Sequence, residues 1–270
     1  MRFDMHLHSN VSGDCKIPME DMLQAAVEQG LAGICFTDHC DLIHFEQPGV
    51  RVENCYELWA RGYEEIEKVR AAWGDKLEIL QGMELSEIVQ DQERACEIAK
   101  APGLDYLLGA VHAVTDVKDF AFLDYQDHGI NQALMERYFD ENIRMAEINL
   151  MDAVAHVGYP NRYIFDQGQR RIDPMEYGDK LSRLFQILIQ NGKGIEVNTS
   201  GLRQGIGSFP NLAVLKRYRE LGGEIVTTGS DAHRAQDVGS HLQEAQELLL
   251  AAGFRYMTVF RQRKPHFIKL

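Results

Sequence analysis

The chain has no apolar run of about 18 residues, the length needed to cross a bilayer as a helix, so it carries no membrane-spanning signal. It has no Cys-x-x-Cys, and its five cysteines (Cys15, Cys35, Cys40, Cys55 and Cys96) make an odd count. That indicates neither a zinc ribbon nor a disulfide framework, and the cysteines read as reduced thiols. Basic charge is scarce: 28 Lys and Arg stand against 41 Asp and Glu, a formal net charge of −13. Such a balance opposes binding to a phosphate backbone unless the cations cluster. The one basic run is Arg261-Gln262-Arg263-Lys264. No Pro-, Gly- or Ser-rich linker divides the 270 residues, and the first residues enter an apolar-polar strand without the charged and apolar segments of a secretion signal. These absences predict one soluble, cytoplasmic domain with no membrane partner and no nucleic-acid partner.

Hydrophobic residues make up 45% of the chain and charged residues 26%, close to globular averages and enough for a sizeable core. Short β-like runs at 2–7, 33–37, 78–83, 106–111, 153–156, 194–198 and 224–228 alternate with amphipathic helical patterns. The helices are expected at 19–29, 56–72, 91–99, 132–149, 174–190, 212–221 and 240–251, with Asp173 and Pro174 as a capped helix start and Gly30, Gly74 and Gly222 as helix stops. Strand and helix alternating in this way build a parallel sheet. An α/β fold closing into a TIM-like (β/α) barrel is expected, because polar residues fall at the C-terminal ends of all seven strands, where barrels build their sites. A doubly wound open sheet gathers its ligand at one switch point instead. The tail, 254–270, is expected to add a strand or cap the barrel base.

The chemistry begins with Asp4-Met5-His6-Leu7-His8. Alternate residues of a strand share a face, so His6 and His8 point the same way, and paired imidazoles are half of a transition-metal site. Ser230-Asp231-Ala232-His233 repeats the spacing after another apolar run. Between them, strand ends carry Asp38-His39, Glu84 in Gly82-Met83-Glu84, His112, His156 and Asn198. One histidine at a strand end is more often a hydrogen-bonded structural residue than a ligand. Six at the same end of successive strands, with acidic residues among them, point to metal.

The ordered set of His-x-His, Thr-Asp-His, Gly-x-Glu, two lone histidines and Asp-x-His resembles the polymerase-and-histidinol-phosphatase (PHP) superfamily of metal-dependent phosphoesterases over nearly the whole chain. Glu196-Val197-Asn198-Thr199-Ser200-Gly201-Leu202-Arg203 and Tyr159-Pro160-Asn161-Arg162 resemble its histidinol-phosphate phosphatase branch. The resemblance implies one metallophosphoesterase domain over residues 1–270, a distorted seven-stranded barrel, and two to three divalent ions of zinc, manganese or iron. It places His6, His8, Glu84 and Asp231 around a first metal, makes Glu84 the bridge to a second completed by His112 and His156, and gives a third to Asp14, His39 and His233. Some relatives have histidine where Asp14 stands, and many phosphatases have a second histidine where Ala113 stands. The first departure makes the third site more oxygen-rich.

The implied substrate is a small phosphate monoester, L-histidinol phosphate in histidine biosynthesis. Glu84 and Asp231 serve the reaction, and Arg162 and Arg203 contact the phosphoryl group. Asp38 is expected to orient a ligand or to serve as an acid toward the leaving group. Glu87, Asp116 and Arg170-Arg171 read as solvated loop charges, and His44, His128, His241 and His266 lie outside the pattern. The rival readings are a phosphoesterase acting on another small ester or on nucleotides and oligonucleotides, a metal-binding regulatory domain without turnover, and a metal-dependent amidohydrolase. The acidic balance opposes the oligonucleotide reading, the intact ligand set opposes the regulatory domain, and the lack of a strand-end lysine opposes the amidohydrolase.

Overall fold

A computed structural model describes the backbone of residues 1–270 and every side chain except that of Tyr63. The elements follow one another as β1 (Phe3–Leu7), α1 (Met19–Glu28), β2 (Gly33–Phe36), β3 (His39–Asp41), α2 (Cys55–Trp73), β4 (Glu78–Ser86), α3 (Gln92–Ile98), β5 (Tyr106–Ala110) and α4 (His128–Ile148). Then come β6 (Ala153–Val154), α5 (Asn161–Asp166), α6 (Gly178–Gln190), β7 (Gly194–Asn198), α7 (Ser200–Arg203), α8 (Leu212–Glu220), β8 (Val226–Gly229), α9 (Leu242–Ala251), β9 (Tyr256–Arg261) and β10 (Lys264–Lys269). Among the described residues, no helix is long and apolar enough to cross a membrane.

Seven parallel strands lie in the order β1-β2-β4-β5-β6-β7-β8. They read as near-continuous apolar runs because helices cover one face and the barrel interior the other; every residue of β1, β2, β5, β7 and β8 is buried. Each helix buries one stripe, as with Leu181, Leu184, Phe185 and Leu188 of α6, spaced three and four apart. The barrel closes where β1 meets the chain leaving β8: Asp231 N donates to His6 O at 2.7 Å and His8 N to Ala232 O at 2.9 Å. Gly229 makes the closure possible, since a Cβ there would stand 2.4 Å from both the His6 Cβ and Glu196 Oε1.

Among the boundaries that differ from the sequence expectation, three stand out, since β6 (two residues), β8 and α9 differ only by a residue or two at an end. β4 runs on to Ser86, because the short strand β3, absent from the sequence reading, pairs His39, Cys40 and Asp41 with Glu84, Leu85 and Ser86. The helix expected at 132 starts at His128, where Asp127 accepts from Ile130 N at 3.0 Å. Behind Asp173 the chain makes a 3₁₀ turn, Pro174–Tyr177, before α6 begins. The tail forms an antiparallel hairpin, β9 with β10, under the N-terminal ends of the strands. There Arg261 forks onto both oxygens of Glu78 at 2.6 Å, Arg263 pairs with Asp152, and Phe260 stacks on Tyr106 at 5.1 Å. Both arginines of the basic run are thus committed to carboxylates at the barrel base.

Candidate metal centre

All nine ligand candidates converge at the C-terminal mouth of the barrel. His6 and His8 face Nε2 to Nε2 at 3.1 Å, with Asp231 Oδ1 at 3.7 and 3.5 Å from them. Glu84 stands in the middle and divides its oxygens. Oε2 lies 3.3 Å from His6 Nε2, 3.6 Å from His8 Nε2 and 3.0 Å from His39 Nδ1, whereas Oε1 lies 3.3 Å from His112 Nε2 and 3.0 Å from His156 Nε2. Asp14 Oδ2 closes the outer side, 3.0 Å from His233 Nε2 and 3.6 Å from His39 Nε2. Among the described residues, four overlapping groups have donor atoms within 4.8 Å of one another: His6, His8 and Asp231; His8, His39 and His233; His39, Glu84 and His112; Asp41, Glu87 and His112. His39 therefore belongs as much to the Glu84 side as to Asp14 and His233. His156 and Asp231 both hold positive φ, 30° and 56°, a backbone state costly for residues with a Cβ.

The hydrogen bonds behind the rings fix what the rings present. His6 Nδ1 lies 2.7 Å from Glu196 Oε1, so it carries the proton and leaves the Nε2 lone pair facing inward. The Ser12 hydroxyl gives its proton to Asp38 Oδ1 at 2.8 Å and accepts from His39 N at 3.0 Å, so His8 Nδ1, 3.0 Å away, must donate to it. Two imidazole lone pairs and two carboxylates thus converge on one buried point. This donor set fits a divalent transition metal.

Without a cation, protons compensate. Burial would strip His6, His39 and His112 of charge, but the surrounding carboxylates, led by Glu196 for His6, Asp41 for His39 and Glu84 for His112, raise all three well above the usual imidazole range. Burial likewise favours neutral Glu84 and Asp231, and the imidazolium neighbours, His6 first, hold both well below the ordinary carboxylate range. His8 drops to about 3, through burial and then repulsion from His233 and His39.

Of the remaining candidates, Arg162 lines the mouth cavity of about 360 Å³, with Nη2 3.6 Å from Asp231 Oδ2 and its Nε buried without a partner. Arg203 and Asp38 do not line it. The Arg203 guanidinium turns beneath the β8 loop, donating to Ser230 O at 2.6 Å, Asp231 O at 3.3 Å and Ser240 Oγ at 3.0 Å. It shapes the turn that carries Asp231 rather than facing the cavity. Asp38 is enclosed by the backbone and hydroxyls of Ser9 and Ser12, 2.7 to 3.2 Å away. Its lone pairs are spent holding the residue that orients His8, which leaves it a positioning residue and not an acid at the leaving group. Asn198 is likewise turned to Ser200.

The sequence reading missed several groups. Arg234, Tyr159 and Tyr163 line the cavity. Glu87 is no solvated loop charge: it is buried, accepts from His112 N at 2.9 Å and Ala113 N at 3.1 Å, and burial pushes it up to about 7. Asp41 stands with Oδ1 3.6 Å from His112 Nδ1. The signal for Asp41 was the i, i+2 spacing from His39, the same spacing that marks His6 and His8, and it was hidden because β3 was read as loop. None of His44, His128, His241 and His266 lines the cavity.

The description of the PHP domain matches residues 4–200. The chain belongs to the PHP family. Similar proteins include a probable histidinol-phosphatase of Thermotoga maritima, 27% identical over 95% of this chain and 94% of its own length, and the histidinol-phosphatase of Lactococcus lactis, 24% identical over 97% and 96%. Among solved structures, the histidinol phosphate phosphatase of Lactococcus lactis, complexed with zinc, L-histidinol and phosphate, superposes with a TM-score of 0.81 at 24% identity, covering 98% of each chain. A putative histidinol phosphatase of Listeria monocytogenes gives 0.76 at 16% identity, over 90% of this chain and 99% of that one. The PHP barrel, nearly closed and built of seven parallel strands, is thus the fold of this chain.

Proposed function

We propose that this PHP chain works as one 270-residue unit, a metal-dependent phosphomonoesterase that hydrolyses L-histidinol phosphate to L-histidinol and phosphate in the cytoplasm. The observation that carries the reading is the division of the Glu84 carboxylate, one oxygen toward His6, His8 and His39 and the other toward His112 and His156. Relatives that span nearly the full chain bear the name histidinol-phosphatase, which supports the substrate.

Zinc, manganese or iron ions held by His6, His8, Asp231, Glu84, His39, His112, His156, His233 and Asp14 would supply the concentrated positive charge that stabilises phosphoryl transfer. The chain's own groups do the rest. Arg162 and Arg234 offer guanidinium forks from the cavity wall to equatorial phosphoryl oxygens. Arg162 is preset by Asp231 and by the Tyr159 ring, which its Cζ overlies at 5.3 Å. Burial keeps the Tyr159 and Tyr163 hydroxyls protonated, so at neutral pH they can donate hydrogen bonds but add no negative charge beside the phosphate. Glu196 and Ser12 accept the Nδ1 protons of His6 and His8 and so keep both rings in their inward-facing tautomers.

The test is turnover of histidinol phosphate, an aryl phosphate and single-stranded DNA by protein supplied with manganese, zinc or iron. Histidinol phosphate is expected to have the highest kcat/KM; faster degradation of DNA would select the oligonucleotide reading instead.

A further inference from the structure

A second cavity, of about 480 Å³, opens beside the first between α5 and the loop before α8. The two cavities have no lining residue in common. Its floor is apolar, made by Val157, Ile172, Ile206 and Phe209. Its rim carries Arg170 and Arg171, and among the described residues neither forms an ion pair. Arg171 is held over the Phe165 ring at 5.7 Å, beside the Gly207 backbone. Asp173, Ser208 and the Asn211 cap of α8 complete the polar edge. The lining holds one carboxylate, Asp173, which caps Met175 N at 3.0 Å and forms no ion pair with either arginine, so two adjacent guanidinium groups give this cavity a net positive rim over its apolar floor in a chain of net charge −13.

We propose that this cavity binds a small organic anion, a carboxylate or phosphate carried on an apolar or aromatic body, and that the ligand acts on the catalytic mouth through the shared wall. That wall is the turn from His156 to Arg162: Val157 and Asn161 face the second cavity, whereas His156, Tyr159 and Arg162 face the first. Asn161 ties the two together, its amide donating to Ile172 O and its oxygen accepting from Ile172 N, both at 2.9 Å, one residue from Arg171. An anion drawn to Arg170 and Arg171 therefore stiffens the segment that presents Arg162.

Calorimetric titration of the metal-loaded protein with 3-phenylpropionate and with phenylphosphonate tests the site, the tighter of the two probes naming the headgroup. Arg170→Ala/Arg171→Ala is expected to weaken the tighter probe by about tenfold or more, two charge-assisted contacts being lost. Both residues are exposed, so the variant retains the fold, which unchanged kcat on an aryl phosphate would verify. A loss under about threefold, or no measurable binding of either probe to the wild type, overturns the proposal. The binding measurement stands apart from the reaction: a protein inactive on histidinol phosphate that still binds the probe through these arginines refutes the proposed substrate and leaves the anion site in place.

Discussion

Glu84 is the residue on which most depends, because each of its oxygens serves a different set of imidazoles. Glu84→Gln replaces one of those oxygens by an amide that repels cations, and is expected to lower kcat by two orders of magnitude or more and to reduce bound metal per chain. Elemental analysis beside turnover checks it; near-normal metal content with near-normal activity would remove the bridging role. The two arginines make a contrast. Arg162→Ala removes a guanidinium from the cavity and should cost roughly tenfold to a hundredfold in kcat/KM toward histidinol phosphate. Arg203→Ala removes support from the turn holding Asp231, so its expected signature is weaker metal retention and a lower Tm, with kcat restored by excess metal. If Arg203→Ala instead raised KM at full metal loading, its guanidinium would belong to the substrate after all. These residues show what the sequence discloses. Histidines at strand ends are legible because spacing fixes the face they share, whereas the direction of a long arginine side chain is decided by carbonyls that no local pattern reveals.

At the level of elements, the extension of β4 matters most. The apolar run that marks a strand stops at Met83, yet Glu84, Leu85 and Ser86 remain in the sheet because β3 supplies them a neighbour. A three-residue strand carrying His39 and Asp41 has no apolar alternation to announce it, so the sequence reading placed Glu87 in solvent. In the fold, β4 delivers Glu87 beneath His112 with its acid form favoured to about pH 7. A folded-state pKa raised above the ordinary value means stability present at low pH and lost as pH rises through the folded value. Glu87→Gln mimics the protonated acid. Relative to wild type, the metal-free variant should therefore gain stability at pH 8 compared with pH 6, measured by chemical denaturation. An identical difference at the two pH values would show that Glu87 is ionised throughout.

For the whole molecule, the alternation of strand and helix and the polar strand ends sufficed to read the barrel. The hairpin beneath it could only be sketched, since its partners lie far away in sequence. Arg263 donates to Leu150 O at 2.6 Å and pairs with buried Asp152, itself bonded to Leu107 N at 2.9 Å. Arg263→Ala leaves that buried carboxylate with only the Lys193 ammonium, 3.6 Å from its Oδ1, as a cationic partner and should destabilise the fold by about 2 kcal/mol without altering KM, as thermal melts and kinetics would show. Barrel closure has another consequence. His6 and His8 leave the ribosome more than two hundred residues before Asp231 and His233, and the β1–β8 seam forms only once the latter have arrived. A nascent chain shorter than this lacks the Asp231 and His233 that complete the groups around His6 and His8, and lacks the seam that seats β1. Full assembly of the metal centre is thereby tied to synthesis of the segment after β8, and a chain truncated before it lacks two of the nine ligand candidates.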